Sequence, residues 1–254
     1  MDGLTIEGLH VRIGDREVLR GVDLRVEPGT CTGLVGESGS GKSMTSLATL
    51  GLLPRSGRVS AGQITLDGQQ IVAPGVDRTP GVRGSGIAMI FQSPRAALNP
   101  LLRAGHQVER VLRRKGLRDD TGKRAIELLG SVGMLEPEKV ARRYPHELSG
   151  GMCQRVVIAM GIASEPRVLI ADEPTTALDV TVQADILDLL DELRERTGMG
   201  MLLISHDLSV VAERCSTISV MRDGEVVEAG ETTAVLSSPR HEFTTALVQD
   251  LTWI

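Results

Sequence analysis

Aromatic residues are nearly missing from this chain of 254 residues: two Phe, one Tyr and one Trp, none of them before Phe91. The amino-terminal third therefore offers no Phe, Tyr or Trp ring on which a planar ligand could stack. The three cysteines, Cys31, Cys153 and Cys215, are odd in number and scattered without a C-x2-C spacing. That argues against a disulfide framework or a zinc site and leaves them as small buried hydrophobes. No run approaches the roughly eighteen consecutive apolar residues that a membrane span needs. The start, Met1 to Thr5, has neither a basic stretch nor an apolar signal core, so a cytoplasmic chain is expected. Excess positive charge is lacking too. The 28 Lys and Arg against 33 Asp and Glu leave a net charge of −5, which supplies no sequence-independent attraction for nucleic acid. DNA and RNA are not expected partners.

What is present is a chain long enough for one large domain or a core plus a subdomain, with a phosphate-binding loop near its start. Gly36, Glu37, Ser38, Gly39, Ser40, Gly41, Lys42 and Ser43 match G-x4-G-K-[ST]. The glycines let the backbone turn so tightly that successive N–H groups converge on one anion, and the following helix points its positive end there. Lys42 can reach the β and γ phosphates of ATP, and the Ser43 hydroxyl can sit on Mg²⁺. Cys31 to Val35 reads as a buried strand before the loop and Met44 to Leu53 as the helix after it. That context disfavours an ordinary Gly/Ser-rich surface loop.

Three further short apolar runs end in polar residues: Ile87 to Phe91 before Gln92, Val168 to Ala171 before Asp172 and Glu173, and Met201 to Ile204 before Ser205 and His206. Runs without alternation fit parallel strands covered on both faces, and such sheets bind ligands beyond the carboxyl ends of their strands. Asp172 is then suited to Mg²⁺, through water, and Glu173 to polarising the attacking water as a general base. Gln92 can meet both metal and water through its amide, and His206 can donate a hydrogen bond to the γ-phosphate. Taken singly, a lone Gln is usually solvated and a lone His is usually a cap. The common strand-end placement is what raises them to candidates.

Leu148, Ser149, Gly150, Gly151 and Met152 precede a helical run from Gln154 to Ala163, and Ser149 reads as its N-cap. A second exposed Gly-rich helix end invites a second grip on an anion. Two helix ends and one ATP imply two chains.

With these motifs in place, the chain resembles the ATPase subunit of an ABC transporter. The likeness rests on Gly36 to Ser43, Gln92, Leu148 to Met152, Val168 to Glu173, Ala177 to Asp179 and His206. It implies an α/β fold: a P-loop core with a mainly parallel sheet, an antiparallel β subdomain and an inserted helical subdomain. It also implies head-to-tail pairing, in which Ser149, Gly150 and Gly151 of one subunit contact the γ-phosphate held by the other and Asp179 links the two sites. The stretches Phe91 to Pro100, Tyr144 to Arg155 and Ala171 to Asp179 resemble the peptide and nickel importer branch. The short tail after His241 resembles its nickel members, which makes nickel or a metal–metallophore complex the expected cargo and dipeptides or oligopeptides the alternative.

The resemblance further implies two integral membrane permease subunits as partners, contacted around Gln92 to Leu102. A second ATPase subunit, identical or related, and indirectly an extracytoplasmic solute-binding protein complete the set. The chain would then lie peripherally on the cytoplasmic face of the plasma membrane. A soluble ABC ATPase acting on DNA or ribosomes, or a P-loop kinase, would leave either the missing coiled-coil insertion or Leu148 to Met152 unexplained. One departure stands out: where family members stack adenine on an aromatic before Gly14, this chain has Ile13, which predicts only a modest preference for ATP over GTP. His10, His106, His146 and His241 share no metal-ligand spacing.

The expected organisation is a single domain over 1–254. Residues 1–91 and 167–254 form the core with its antiparallel part, and 92–166 a charged helical insertion carrying the Leu148 to Met152 motif. The basic clusters of that insertion read as a solvated face. Leu4 to Val26 and Gly62 to Ile71 alternate as antiparallel strands do, and the stripe Val182, Ile186, Leu189, Leu190, Leu193 reads as the core face of a helix.

Overall fold

A computed structural model describes residues 3–176 and 178–251, with the side chains described as far as Gln249. Ala177, part of one of the motifs above, lies outside the described residues. In chain order the strands are β1 (Leu4–Ile13), β2 (Arg16–Val26), β3 (Cys31–Val35), β4 (Gly57–Leu66), β5 (Gln69–Ala73), β6 (Val76–Asp77), β7 (Ile87–Ile90), β8 (Val168–Asp172), β9 (Gly200–Ser205), β10 (Thr217–Arg222) and β11 (Glu225–Glu231). Helix α1 (Lys42–Thr49) follows β3. Helices α2 (Pro94–Ala97), α3 (Ala104–Arg114), α4 (Thr121–Ser131), α5 (Pro137–Ala141) and α6 (Gly150–Ile162) lie between β7 and β8. Then come α7 (Val180–Thr197), α8 (Leu208–Arg214), α9 (Thr232–Ser237) and α10 (Glu242–Leu251).

Two sheets result. The first has the order β2-β1-β4-β5-β6 and is antiparallel throughout. The second has the order β11-β10-β3-β9-β8-β7, parallel from β10 to β7 with β11 antiparallel at its edge. Its central strands β3, β9 and β8 are almost wholly apolar up to their polar ends because each feeds two cores. Leu34, Ile170, Leu202 and Ile204 pack toward the antiparallel sheet with Leu9, Leu19 and Ile64. Val35, Leu169, Ala171 and Leu203 pack toward the helices with Val156, Ile186 and Leu190. Successive residues of a strand face opposite ways, so burial on both sides removes the alternation that marks a half-exposed strand.

Residues 92–166 contain helices and turns and no strand among the described residues. Their basic side chains are partly paired at the surface, Arg113 with Glu109 and Lys115 with Glu165. Helix α7 buries Ile186, Leu189, Leu190 and Leu193 as the stripe requires. All three cysteines are buried and free. Cys31 and Cys215 touch sulfur to sulfur at 3.1 Å, and that contact together with burial pushes the Cys215 thiol pKa up.

Some boundaries differ from expectation for local reasons. Helix α1 ends at Thr49 rather than Leu53, because the N–H groups of Gly51 and Leu52 close back on the carbonyls of Ala48 and Leu47, a Schellman-type termination. Helix α6 begins at Gly150, four residues before the expected Gln154, so the glycine pair belongs to its first turn. Strand β10, which lies directly beside β3, was not expected. Its run is interrupted by Ser219, which is nevertheless 5% exposed.

Candidate functional site

The polar ends of β3, β7, β8 and β9 meet at one edge of the parallel sheet. A cavity of about 560 Å³ opens there, lined by the phosphate loop (Ser38, Gly39, Gly41, Lys42, Ser43 and Met44), by Gln92 and Glu173, by Arg16 to Val18 and Arg20 of β2, and by Asp223 and Gly224. No side chain caps α1, whose N-cap Gly41 has φ 113°, so its first-turn N–H groups remain for an anion. Gly36 has φ 153°, and a Cβ there would lie 2.0 Å from the Met221 carbonyl oxygen. Only glycine lets the loop pass that close to β10.

Lys42 is 6% exposed, and its Nζ donates to the carbonyls of Gly36 at 2.7 Å and Glu37 at 2.9 Å. Burial lowers its pKa, and the carboxylates of Glu173 and Asp172 oppose that shift. Asp172 is equally buried. Burial raises its pKa and Glu173 adds to the rise, while a hydrogen bond from Ser43 and the charge of Lys42 counter it. The Ser43 hydroxyl and the Asp172 carboxylate thus form an adjacent pair of oxygen donors in a place where negative charge is disfavoured without a cation. A hard divalent ion such as Mg²⁺ fits that donor chemistry.

Glu173 is the centre of the polar network. Its backbone sits in the left-handed region at φ 46°, a conformation that costs a non-glycine residue about 1–2 kcal/mol, and its N–H is tied to the Ile204 carbonyl at 2.9 Å. The Gln92 amide donates to Glu173 Oε2 at 2.6 Å and the Thr176 hydroxyl donates to the same oxygen at 3.0 Å. His206 Nδ1 lies 3.3 Å from Glu173 Oε1. The structure therefore brings Gln92, Glu173 and His206 together, as expected from their strand-end positions. Thr176 carries no sequence signal for this role beyond its place three residues after the acid.

Leu148 to Met152 do not line this cavity. Ser149 Oγ accepts from the Met152 N–H at 3.2 Å, which caps α6 and leaves the hydroxyl proton available to an anion. A Cβ on Gly151 would lie 2.7 Å from Val182 Cγ1, so this glycine also lets α6 pack on the start of α7. Asp179 caps that helix, accepting from the Val182 N–H at 3.0 Å. Replacing Asp179 with Ala should lower the unfolding free energy by about 1 kcal/mol in urea denaturation, while Asp179→Asn keeps the cap. An Ala variant as stable as the wild type would show that the cap contributes nothing.

Ile13, expected at the base, is not part of the cavity wall. The physical reason is sheet order: β2 is the edge strand beside the phosphate loop, where a Cβ on Gly41 would meet Leu19 Cδ2 at 2.8 Å. Arg16, Glu17 and Val18 line the cavity, whereas Ile13, the partner of Arg16 across the hairpin, is not among its lining residues. The histidines outside the site have local partners. His10 bonds Glu17 at 3.0 Å, His106 lies 4.0 Å from Glu109, His146 stacks on Tyr144, and His241 Nδ1 accepts from the Phe243 N–H.

A phosphate loop and an acidic strand end, delivered to one edge of a parallel sheet, define a P-loop nucleoside triphosphatase. The chain belongs to the ABC transporter family, whose profile matches residues 19–176. It is a transport ATPase: it binds ATP, and its hydrolysis is coupled to transport. It is 45% identical over 254 residues to the dipeptide transport ATP-binding protein DppD of Escherichia coli, covering 98% of this chain and 78% of that protein. It is 44% identical to the oligopeptide transport ATP-binding protein OppD of Bacillus subtilis, covering 94% and 67%. Among solved structures it resembles the dimeric cassette MJ0796 bound to ADP and Pi, with TM-score 0.77, 29% identity and coverage of 90% and 98%. CbiO1 of Clostridium perfringens, part of the cbiONQ transporter complex, matches with TM-score 0.77, 28% identity and coverage of 92% and 90%.

Proposed function

We propose that this chain powers the uptake of dipeptides or oligopeptides as one of two ATPase subunits on the cytoplasmic face of a membrane. It would work with two integral permease subunits and an extracytoplasmic solute-binding protein. The observation that carries this reading is the 45% identity to a dipeptide transport protein over 98% of the chain. The nickel reading, drawn from the tail, has no comparable support among these relatives. A peripheral position agrees with the finding that, among the described residues, no helix is long and apolar enough to cross a membrane.

The chemistry follows from the cavity. The N–H groups of Gly36 to Ser43 and the Lys42 ammonium hold the β and γ phosphates. Ser43 and Asp172, with the Gln92 amide beside them, would hold Mg²⁺, which when bound neutralises phosphate charge. Glu173 orients the attacking water and takes its proton as the bond from that oxygen to the γ-phosphorus forms and the bond from the γ-phosphorus to the ADP oxygen breaks, which leaves ADP and phosphate. Gln92 and Thr176 fix that carboxylate, and His206, largely exposed at the rim, is placed to donate to the γ-phosphate. The Ser149 hydroxyl and the N–H groups of Gly150 and Gly151 act on the nucleotide of the other subunit. Their exclusion from their own chain's cavity supports that cross-subunit role.

The cargo is tested by assembling the chain with its permeases in vesicles. Hydrolysis should rise several-fold when a peptide-loaded binding protein is added and stay basal with a nickel-loaded one. Stimulation by nickel and not by peptide would reverse the assignment.

A further inference from the structure

Beside the phosphate loop the cavity is walled by strand β2. Arg16, Glu17, Val18 and Arg20 of β2 border it, and the pairing with β1 shifts register at Val18, between Leu19 opposite Val11 and Glu17 opposite Arg12. The Arg20 end is fixed beside the loop, because the Arg20 N–H donates to the Gly224 carbonyl and the Gly224 N–H to that of Ser40, both at 2.8 Å. Val18 lies next to Gly41, its carbonyl oxygen 3.5 Å from where a Cβ would stand. Arg16 opens the strand, opposite Ile13, at the end away from the Arg20 and Ser40 contact.

No aromatic side chain lines this cavity. The groups able to meet the flat face of a purine are Val18, the half-buried Met44 in the first turn of α1, and Arg16. Neither a hydrogen bond nor an ion pair holds the Arg16 side chain among the described residues, and it is exposed at the rim. A guanidinium is planar, weakly hydrated and able to stack on a heteroaromatic ring, and the Met thioether makes favourable contacts with rings from the other direction.

Building on the nucleotide reading above, we propose that Arg16 is the base-holding residue of this ATPase, its guanidinium stacked on the purine, with Val18 and Met44 completing the apolar contact. Stacking of this kind tolerates either purine, so the site grips ATP and GTP alike. Stacked face to face, the guanidinium of Arg16 does not address the hydrogen-bonding edge of the base.

The test compares Mg²⁺ complexes of ATP, GTP and inorganic tripolyphosphate binding to the full chain and to Arg16→Ala and Arg16→Tyr, with thermal unfolding as the control for folding. Loss of one stacking partner is worth about 1–3 kcal/mol. Arg16→Ala should therefore weaken ATP and GTP by roughly tenfold each while tripolyphosphate changes by less than about twofold, and Arg16→Tyr should restore both nucleotides. A parallel loss of tripolyphosphate would place Arg16 on the phosphates, and unchanged ATP binding by Arg16→Ala would remove it from the site. Either result overturns the proposal. Failure of the wild-type chain to bind any of the three would instead sink the nucleotide reading itself.

Discussion

Glu173→Gln is expected to bind ATP as tightly as the wild type and to hydrolyse it about 10²- to 10⁴-fold more slowly. The carboxylate ends β8 beside the phosphate loop and is placed as the base: Lys42 is engaged with loop carbonyls, Asp172 with Ser43, and the Gln92 amide with Glu173 itself. Glutamine has the same shape and can keep one hydrogen bond from Thr176 through its amide oxygen, but it cannot accept a proton from water. Nucleotide binding rests on the loop and is untouched. Single-turnover hydrolysis beside equilibrium binding separates the two effects. Turnover within about threefold of the wild type would exclude Glu173 as the base and leave its strained backbone without a functional reason.

Gly36→Ala should be nearly as damaging by a different route. The added methyl would stand 2.0 Å from the Met221 carbonyl oxygen and 2.9 Å from Ser40 Oγ, so either β10 or the loop must shift. Backbone strain and overpacking each cost on the order of 1–3 kcal/mol, and a displaced loop loses its converging N–H groups. A drop in ATP affinity of about a hundredfold is expected, with a lower unfolding temperature, measured by nucleotide titration and thermal scanning. Affinity within threefold of the wild type would mean that the loop does not need its close approach to β10.

The parallel core was legible in the sequence because burial on both faces leaves a plain signature, short apolar runs that stop at a polar residue. The same runs told where Gln92, Glu173 and His206 would meet, since a parallel sheet delivers all its strand ends to one edge. Strand β10 was not legible: Thr217 and Ser219 break its apolar run, and its place beside β3 is set by pairing across some 180 residues. Local spacing also leaves open which end residue of the first hairpin borders the cavity. Ile13 and Arg16 are partners across one hairpin, and only the order of strands in the antiparallel sheet decides which of them borders the cavity.

Residues with two duties were read by one duty alone. Gly151 serves close packing against Val182 as well as an exposed helix end. Asp179 is a helix cap whatever else it does at a subunit boundary. Thr176 holds the catalytic carboxylate through a bond that depends on a turn with no pattern of its own in the sequence.

The sandwich of one nucleotide between two ATPase subunits is tested most directly by measuring mass in solution, with light scattering, on the Glu173→Gln chain together with the second ATPase subunit of its transporter. At saturating Mg²⁺-ATP the mass should double from that of single protomers, and it should fall back when Ser149→Arg is added to this chain and the serine of the same motif in its partner is changed likewise. Protomers that stay single at saturating ATP would contradict the account.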